Sequence, residues 1–156
     1  MKIEKYKETD INGIISLFYD TVHSVNAQDY SQEQLDVWAP KTDKESKLEI
    51  WKSSLNQNIS YVAKINDTVV CFSDLTITGH LYRLYVHKNE QGKGIASALV
   101  DILEVEAKRR KIEEVDTEAS ITAKPFFERR GYVVIKSQTV ERNHVELTNY
   151  KMVKKL

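Results

Sequence analysis

The sequence predicts an α+β fold within the α/β class: a mixed, mostly antiparallel central sheet of six to seven strands, flanked by helices, with one parallel pair. Three observations lead there. Apolar residues recur at helical spacing through the first third of the chain. The pattern then changes to β-rich runs separated by short turn signals. A strand, a glycine-containing link, a long helix and another strand follow in series from His80 to Ala119, and a strand–helix–strand series makes a parallel pair with a crossover.

Residues 2–6 alternate weakly and suit an edge strand. Thr9-Asp10 can cap a helix carrying Ile11, Ile14, Ile15, Phe18 and Val22 on one face. Ser31-x-x-Gln34 reads as a capping box for a short helix with Leu35 and Trp38, stopped by Pro40. Thr42-Asp43 can cap a third helix with Leu48, Trp51 and Leu55. Ser60–Ile65 and Thr68–Thr76 read as strands joined by Asn66-Asp67, a pair suited to a two-residue hairpin. Thr78-Gly79 turns the chain into the strand His80–Val86. Next comes a helix with Ile95, Leu99, Ile102 and Leu103 on one side. Ile112–Ala119 follows as a strand, despite Glu113, Glu114 and Asp116. Thr122 can cap a helix with Pro125 in its first turn and Gly131 past its end. Tyr132–Val140 and Val145–Val153 close the chain as strands joined near Arg142-Asn143-His144.

Composition narrows the function. The 156 residues suggest one domain, 1–156, with a core of adequate size. Lys plus Arg and Asp plus Glu are 23 each, so the balance gives no support to nucleic acid or an anionic membrane as partner. Lys108-Arg-Arg-Lys111 fits a helix end that complements its dipole. Cys71 is the only cysteine, and the four histidines lack a short ligand spacing, so no metal is expected. No leader and no membrane-length apolar run is read, and the cytoplasm is the expected location.

The link after Val86 runs Gln91-Gly92-Lys93-Gly94-Ile95-Ala96. A glycine-containing turn opening a helix presents free backbone N–H groups to an anion, and the helix dipole favours negative charge there. The Walker pattern fails because Ile95 follows Gly94. The dinucleotide fingerprint fails because Ser97 holds its third glycine place. Gln-x-x-Gly-x-Ala, at Gln91, Gly94 and Ala96, resembles the pyrophosphate-binding motif of the GNAT superfamily of N-acetyltransferases. Ala123-Lys-Pro-Phe126-Phe127-Glu-Arg-Arg-Gly131-Tyr132 is similar to the family's second motif, Ala-x-x-Phe-Tyr-x-x-x-Gly-Phe, whose helix packs beside the CoA arm. The element order matches across most of the chain. Within the family, Ala119–Tyr132 and Leu147-Thr-Asn-Tyr150 look like the branch named after the bacterial acetyltransferase YafP.

The resemblance implies transfer of an acetyl group from acetyl-CoA to a primary amine of a small molecule or protein, by direct attack in a cleft at the parallel pair. It implies backbone contacts to the cofactor arm at Leu84, Tyr85 and Val86, with the Leu84 N–H as oxyanion donor. It gives the pyrophosphate to the amides of Gln91, Gly92, Lys93, Gly94, Ile95 and Ala96. Ser120 stands near a common Asn beside the CoA arm, and Phe127 where many relatives carry the tyrosine that protonates the thiolate. Strand alternation would put His80, Tyr82, Leu84 and Val86 on one face. His80 is the first candidate base and Glu118 the second. Tyr30 and Trp38 are candidate pocket walls beside Tyr82, and Asp74 a candidate attractor of the amine. Phe126 is expected to be core. The missing tyrosine leaves a CoA- or acyl-CoA-binding regulatory module as the alternative function. A nucleotide-binding regulatory domain is disfavoured by the three antiparallel strands before the loop. Expected partners are acetyl-CoA and an amine, with neither nucleic acid nor membrane; a homodimer is compatible with the sequence.

Overall fold

A computed structural model describes residues 1–156. Its seven strands are β1 (Lys2–Lys5), β2 (Ile59–Ile65), β3 (Thr68–Leu75), β4 (His80–Val86), β5 (Glu114–Ser120), β6 (Val133–Arg142) and β7 (Val145–Lys155). The helices are α1 (Ile11–Ser24), α2 (Gln32–Trp38), α3 (Lys44–Gln57), α4 (Ile95–Arg109) and α5 (Lys124–Arg129). One sheet runs in the order β1-β2-β3-β4-β5-β7-β6, and only β4 and β5 are parallel. The expected topology is present. No helix is long and apolar enough to cross a membrane.

The turns follow their chemistry. Asn66 and Asp67 both take positive φ, at 51° and 64°, as a two-residue hairpin with right-handed strand twist requires. Asn143 and His144 do the same between β6 and β7. Gly79 has φ of 100°, and a Cβ there would stand 2.7 Å from the Glu114 carbonyl oxygen, so this turn admits only glycine. Ser31 and Gln34 form the capping box, with bonds of 3.2 and 2.8 Å. Other caps differ from expectation. Asp10 and Asp43 occupy N-cap positions but make no capping bond; Asp43 instead accepts from the Tyr19 hydroxyl. At α5 the cap is not Thr122. The Ser120 hydroxyl accepts from the Ala123 N–H at 3.0 Å, and Thr122 Oγ1 is buried without a partner.

Helices cover both faces. On one, α1 to α3 pack Ile14, Phe18, Val22, Leu35 and Leu55 against Val62 and Phe72. Phe18, Trp51, Phe72 and Tyr85 form a linked aromatic group with ring centroids 4.8–6.0 Å apart. On the other, α4 lays Ile95, Leu99, Val100 and Leu103 over Cys71, Leu75, Leu81 and Val115, with Phe127 of α5 beside them. Full burial of a side chain such as Phe72 or Leu103 contributes on the order of 2 kcal/mol. The lone thiol, Cys71, is fully buried, and burial pushes its pKa up.

Two irregularities position the site. The pairing of β4 with β5 stops after His80↔Asp116 and Leu81↔Thr117. Beyond Leu81 the strands separate. The pairing of β3 with β4 jumps from Asp74↔Arg83 to Leu75↔Leu81, so Tyr82 is an extra, bulged residue. A bulge reverses which face the following side chains take.

Candidate active site

The separation of β4 from β5 opens a cleft of about 950 Å³. Its walls include Leu84, Tyr85 and Val86 of β4, the turn before α4, Ala119 and Ser120 of β5, and Phe126 and Phe127 of α5. Peptide orientation along β4 follows from its bonds to β3. The His87 N–H donates to the Val70 carbonyl at 2.8 Å, and the Ser73 hydroxyl donates to the Arg83 carbonyl at 2.7 Å. Groups alternate along a strand, so the peptide groups of Leu84 and Val86 point the other way, into the cleft where β5 has left. The Val86 carbonyl accepts from Gln91 Nε2 at 2.7 Å, which ties the start of the turn to the strand end.

The turn itself is a short 3₁₀ segment, Lys88–Glu90, followed by Gln91–Gly94. Asn89 N–H donates to His87 Nδ1 at 3.0 Å and fixes its start. Gly92 and Gly94 have φ of 72° and 81°, and a Cβ at either would meet open space. These glycines are needed for left-handed backbone, not for room. Gly94 is the N-cap of α4, so the first N–H groups of a 15-residue helix face the cleft. Of the residues expected to touch the cofactor, Leu84 to Val86, Gln91, Gly92, Gly94 to Ala96, Ser120 and Phe127 line this one cleft; Lys93 does not, and its ammonium pairs with Glu90 at 3.1 Å. Phe127 is buried against Tyr132, and Phe126, expected as core, is half-buried in the cleft wall. Thr122 Oγ1 adds an unpartnered hydroxyl to that wall.

Sequence reasoning missed Arg130 and Lys154, which also line the cleft. Both bind Glu104 of α4, at 3.2 and 2.9 Å, and the Tyr132 hydroxyl donates to the same carboxylate at 2.8 Å. Burial and the Glu104 carboxylate raise the Tyr132 pKa. This network joins α4, the end of α5 and β7 across the back of the cleft.

A second cavity of about 320 Å³ lies on the α1–α3 side of the sheet. Tyr30, Trp38, His80, Tyr82 and Glu118 all line it. His80 does not share a face with Leu84, as regular alternation would have it. The Tyr82 bulge intervenes, so Leu81 and Leu84 both face α4, while Arg83 and Tyr85 line this cavity with His80. His80 Nδ1 hydrogen-bonds Asp116, its register partner on β5, which the sequence did not single out. A carboxylate on Nδ1 leaves Nε2 free to take a proton. Glu118, two residues on, accepts from Gln138 Nε2 at 3.1 Å.

The candidate aromatic walls have second duties. The Tyr30 hydroxyl donates to the Thr148 carbonyl at 2.6 Å and accepts from the Ile121 N–H at 3.0 Å, and its ring meets Trp38 edge-on. Burial pushes the Tyr85 pKa up to about 12, with the Trp38 indole beside it opposing that shift. Asp74 is not a cavity wall. It is fully buried, receives Arg83 Nε at 3.0 Å and Nη2 at 2.5 Å, and accepts from Asn58 Nδ2 at 2.8 Å. Arg83 in turn lies between the Trp51 and Tyr82 rings, 4.7 and 4.4 Å from their centroids. An amine cannot use a carboxylate already paired this way.

Residues 26–154 match the acetyltransferase (GNAT) domain family. The chain is 32% identical to the uncharacterized N-acetyltransferase YafP of Escherichia coli, over 97% of this chain and 94% of that protein. A crystal structure of a GCN5-related N-acetyltransferase of Rhodopseudomonas palustris superposes with a TM-score of 0.91 and 31% identity, covering 99% of this chain and 95% of that one. The PaiA N-acetyltransferase of Thermoplasma acidophilum, solved in complex with coenzyme A, shares the fold at a TM-score of 0.75 and 24% identity over the whole of both chains. With the splayed parallel pair and the glycine turn between them, these matches show that the chain belongs to the GNAT family of N-acetyltransferases.

Proposed function

We propose that the protein, as a single domain over residues 1–156, transfers the acetyl group of acetyl-CoA to a primary amine by direct attack. The observation that carries this reading is the divergence of β4 from β5 beyond Leu81, beside the free N-terminus of α4. The residues present fit acetyl-CoA. The amides from Gln91 to Ala96 would hold its pyrophosphate, and the free β4 edge at Leu84 and Val86 would pair with its pantetheine arm, with Tyr85 packed between. Ser120, Thr122 and Phe127 would flank that arm.

The chemistry then divides among the chain's own groups. The amine nitrogen attacks the thioester carbon, and the carbonyl electrons move to oxygen, where the Leu84 N–H donates to them. His80 Nε2 takes the proton the amine loses, and Asp116 holds the ring and steadies its positive charge. Collapse of the tetrahedral species breaks the carbon–sulfur bond, and the departing thiolate takes a proton from solvent or His80. Phe127 cannot supply it, and a thiol is acidic enough to leave without a dedicated acid. Tyr30, Trp38 and Tyr82 would wall the acceptor, with Glu118 at the junction of the two cavities.

The second reading, a CoA-binding module with little catalysis, is favoured by Phe127 alone. Amine-dependent release of CoA thiol from acetyl-CoA, across a broad amine panel, tests both. Release that falls about fivefold to tenfold in Asp116→Asn supports the transferase with its His80 base. CoA binding with no release from any amine supports the module.

A further inference from the structure

The smaller cavity carries more positive than negative charge, and that balance bears on the acceptor. Three cationic side chains line it: Lys47 of α3, Arg83 of β4 and Arg142 at the end of β6. Arg83 is neutralised by Asp74. Arg142 has no carboxylate within ion-pair distance, and the sole partner of Lys47 is Asp43, 3.7 Å away and outside the cavity wall. The one carboxylate on the wall is Glu118. Such a pocket is unsuited to a purely cationic amine.

Lys47 is also held in place. Its ammonium stands 5.2 Å from the centroids of both Phe18 and Trp51, so its stem lies over an aromatic floor. Burial lowers its pKa; Asp43 opposes this, and the charges of Arg142 and Arg83 add to the lowering. A bound anion relieves the crowding. On the same wall, Asn149 Oδ1 is buried and has no partner. It is a free acceptor for an N–H donor. The cavity thus offers two cations for an anion, and Asn149 with Glu118 for an ammonium or amine.

We propose that the acceptor is a small zwitterion, an amine that also bears a carboxylate, seated with its carboxylate on Lys47 and Arg142. The amine nitrogen faces Asn149, Glu118 and His80, and any apolar part lies on Phe18, Trp51 and Tyr85. The volume of about 320 Å³ is at the small end of ligand pockets and suits a molecule of amino-acid size. This assignment rests on the transferase reading and narrows its substrate class.

The test uses a set of aliphatic, aromatic and acidic amino acids. Each is compared with its carboxamide and with the matching decarboxylated amine, at fixed acetyl-CoA. The expected result is a kcat/KM for at least one acid that exceeds its amide by about tenfold or more, as loss of a charge-assisted contact implies. Arg142→Ala and Lys47→Met should each move that ratio toward one, chiefly by raising KM for the acid. Arg142 is exposed and Lys47→Met keeps the stem over the rings, so both variants should fold; their melting points check this. An acid-to-amide ratio of one or less in the natural protein overturns the proposal, as does a ratio that neither variant changes. If no amine of any kind is acetylated, the transferase reading falls, and calorimetry on CoA-loaded protein decides the rest. Acid binding that Arg142→Ala abolishes sustains the carboxylate subsite; absence of acid binding overturns it.

Discussion

The two cavities meet at β4 but are built from different material. The larger cleft is lined where it matters by main chain: the free edge of β4, two left-handed glycines and the first turn of α4. The smaller is lined by side chains from seven elements, α1, α2, α3, β4, β5, β6 and β7, along with Tyr30. Main-chain sites need few residue types and a fixed local spacing. Side-chain sites need many residues brought from distant positions, each free to vary. One protein can thus keep its cofactor chemistry constant while its acceptor chemistry drifts.

The largest effect expected from breaking this contrast is at Asp74. Removing it in Asp74→Ala leaves the buried Arg83 guanidinium without its fork partner, which should cost about 3–5 kcal/mol in denaturant titrations. A variant of normal stability that loses only amine affinity would restore Asp74 as an acceptor contact. Next is the base. His80→Ala should lower acetyl transfer by roughly tenfold or more with acetyl-CoA affinity nearly unchanged. Loss of rate in Glu118→Gln, with His80→Ala unaffected, moves the base to Glu118.

On the main-chain side, Gly94→Val places a β-branched residue at φ of 81°, at a cost of about 1–2 kcal/mol. CoA affinity should weaken by about tenfold, whereas Gly94→Asn, which tolerates left-handed backbone, should stay closer to the natural value. Equal affinity in folded Val and Asn variants would count against the turn as the pyrophosphate site. The smallest effect is expected at Phe127→Tyr, below about tenfold in rate, because the ring is packed on Tyr132 and the thiolate needs little help.

The same contrast explains what the sequence made legible. The capping box at Ser31, both positive-φ hairpins and the Gln91–Ala96 turn are local, and each stands where its residues indicate. The seven strands follow from period-two runs between those signals. Two expected caps failed locally, where Asp10 accepts from the Lys7 N–H and Ser120 takes the place of Thr122; the failures at the site involve partners distant in the chain or one inserted residue. Asp74 read as a free charge because Arg83 meets it only across a strand pair. Asp116 looked like a flaw in a strand, yet it meets His80 because α4 returns the chain parallel to β4. The shared face of His80 and Leu84 failed because nothing in His80-Leu-Tyr-Arg-Leu announces a bulge at Tyr82. Lys47 and Arg142 lie far apart in sequence, so no motif could join them.

The two-residue contact between β4 and β5 also divides the sheet into two antiparallel parts. On one side, β1 to β4 pair as neighbouring antiparallel strands; on the other, β5, β6 and β7 do the same. Across the junction stand two register pairs, the Asp116 N–H to Gly79 carbonyl bond of 3.0 Å, and the Thr117 hydroxyl to Leu81 carbonyl bond of 2.9 Å. A junction with so few ladder bonds is where sub-global opening is cheapest. Native-state amide exchange should show the Asp116 N–H opening at lower free energy than amides in the middle of β3 or β7, and a ligand that spans both strands should raise its protection most.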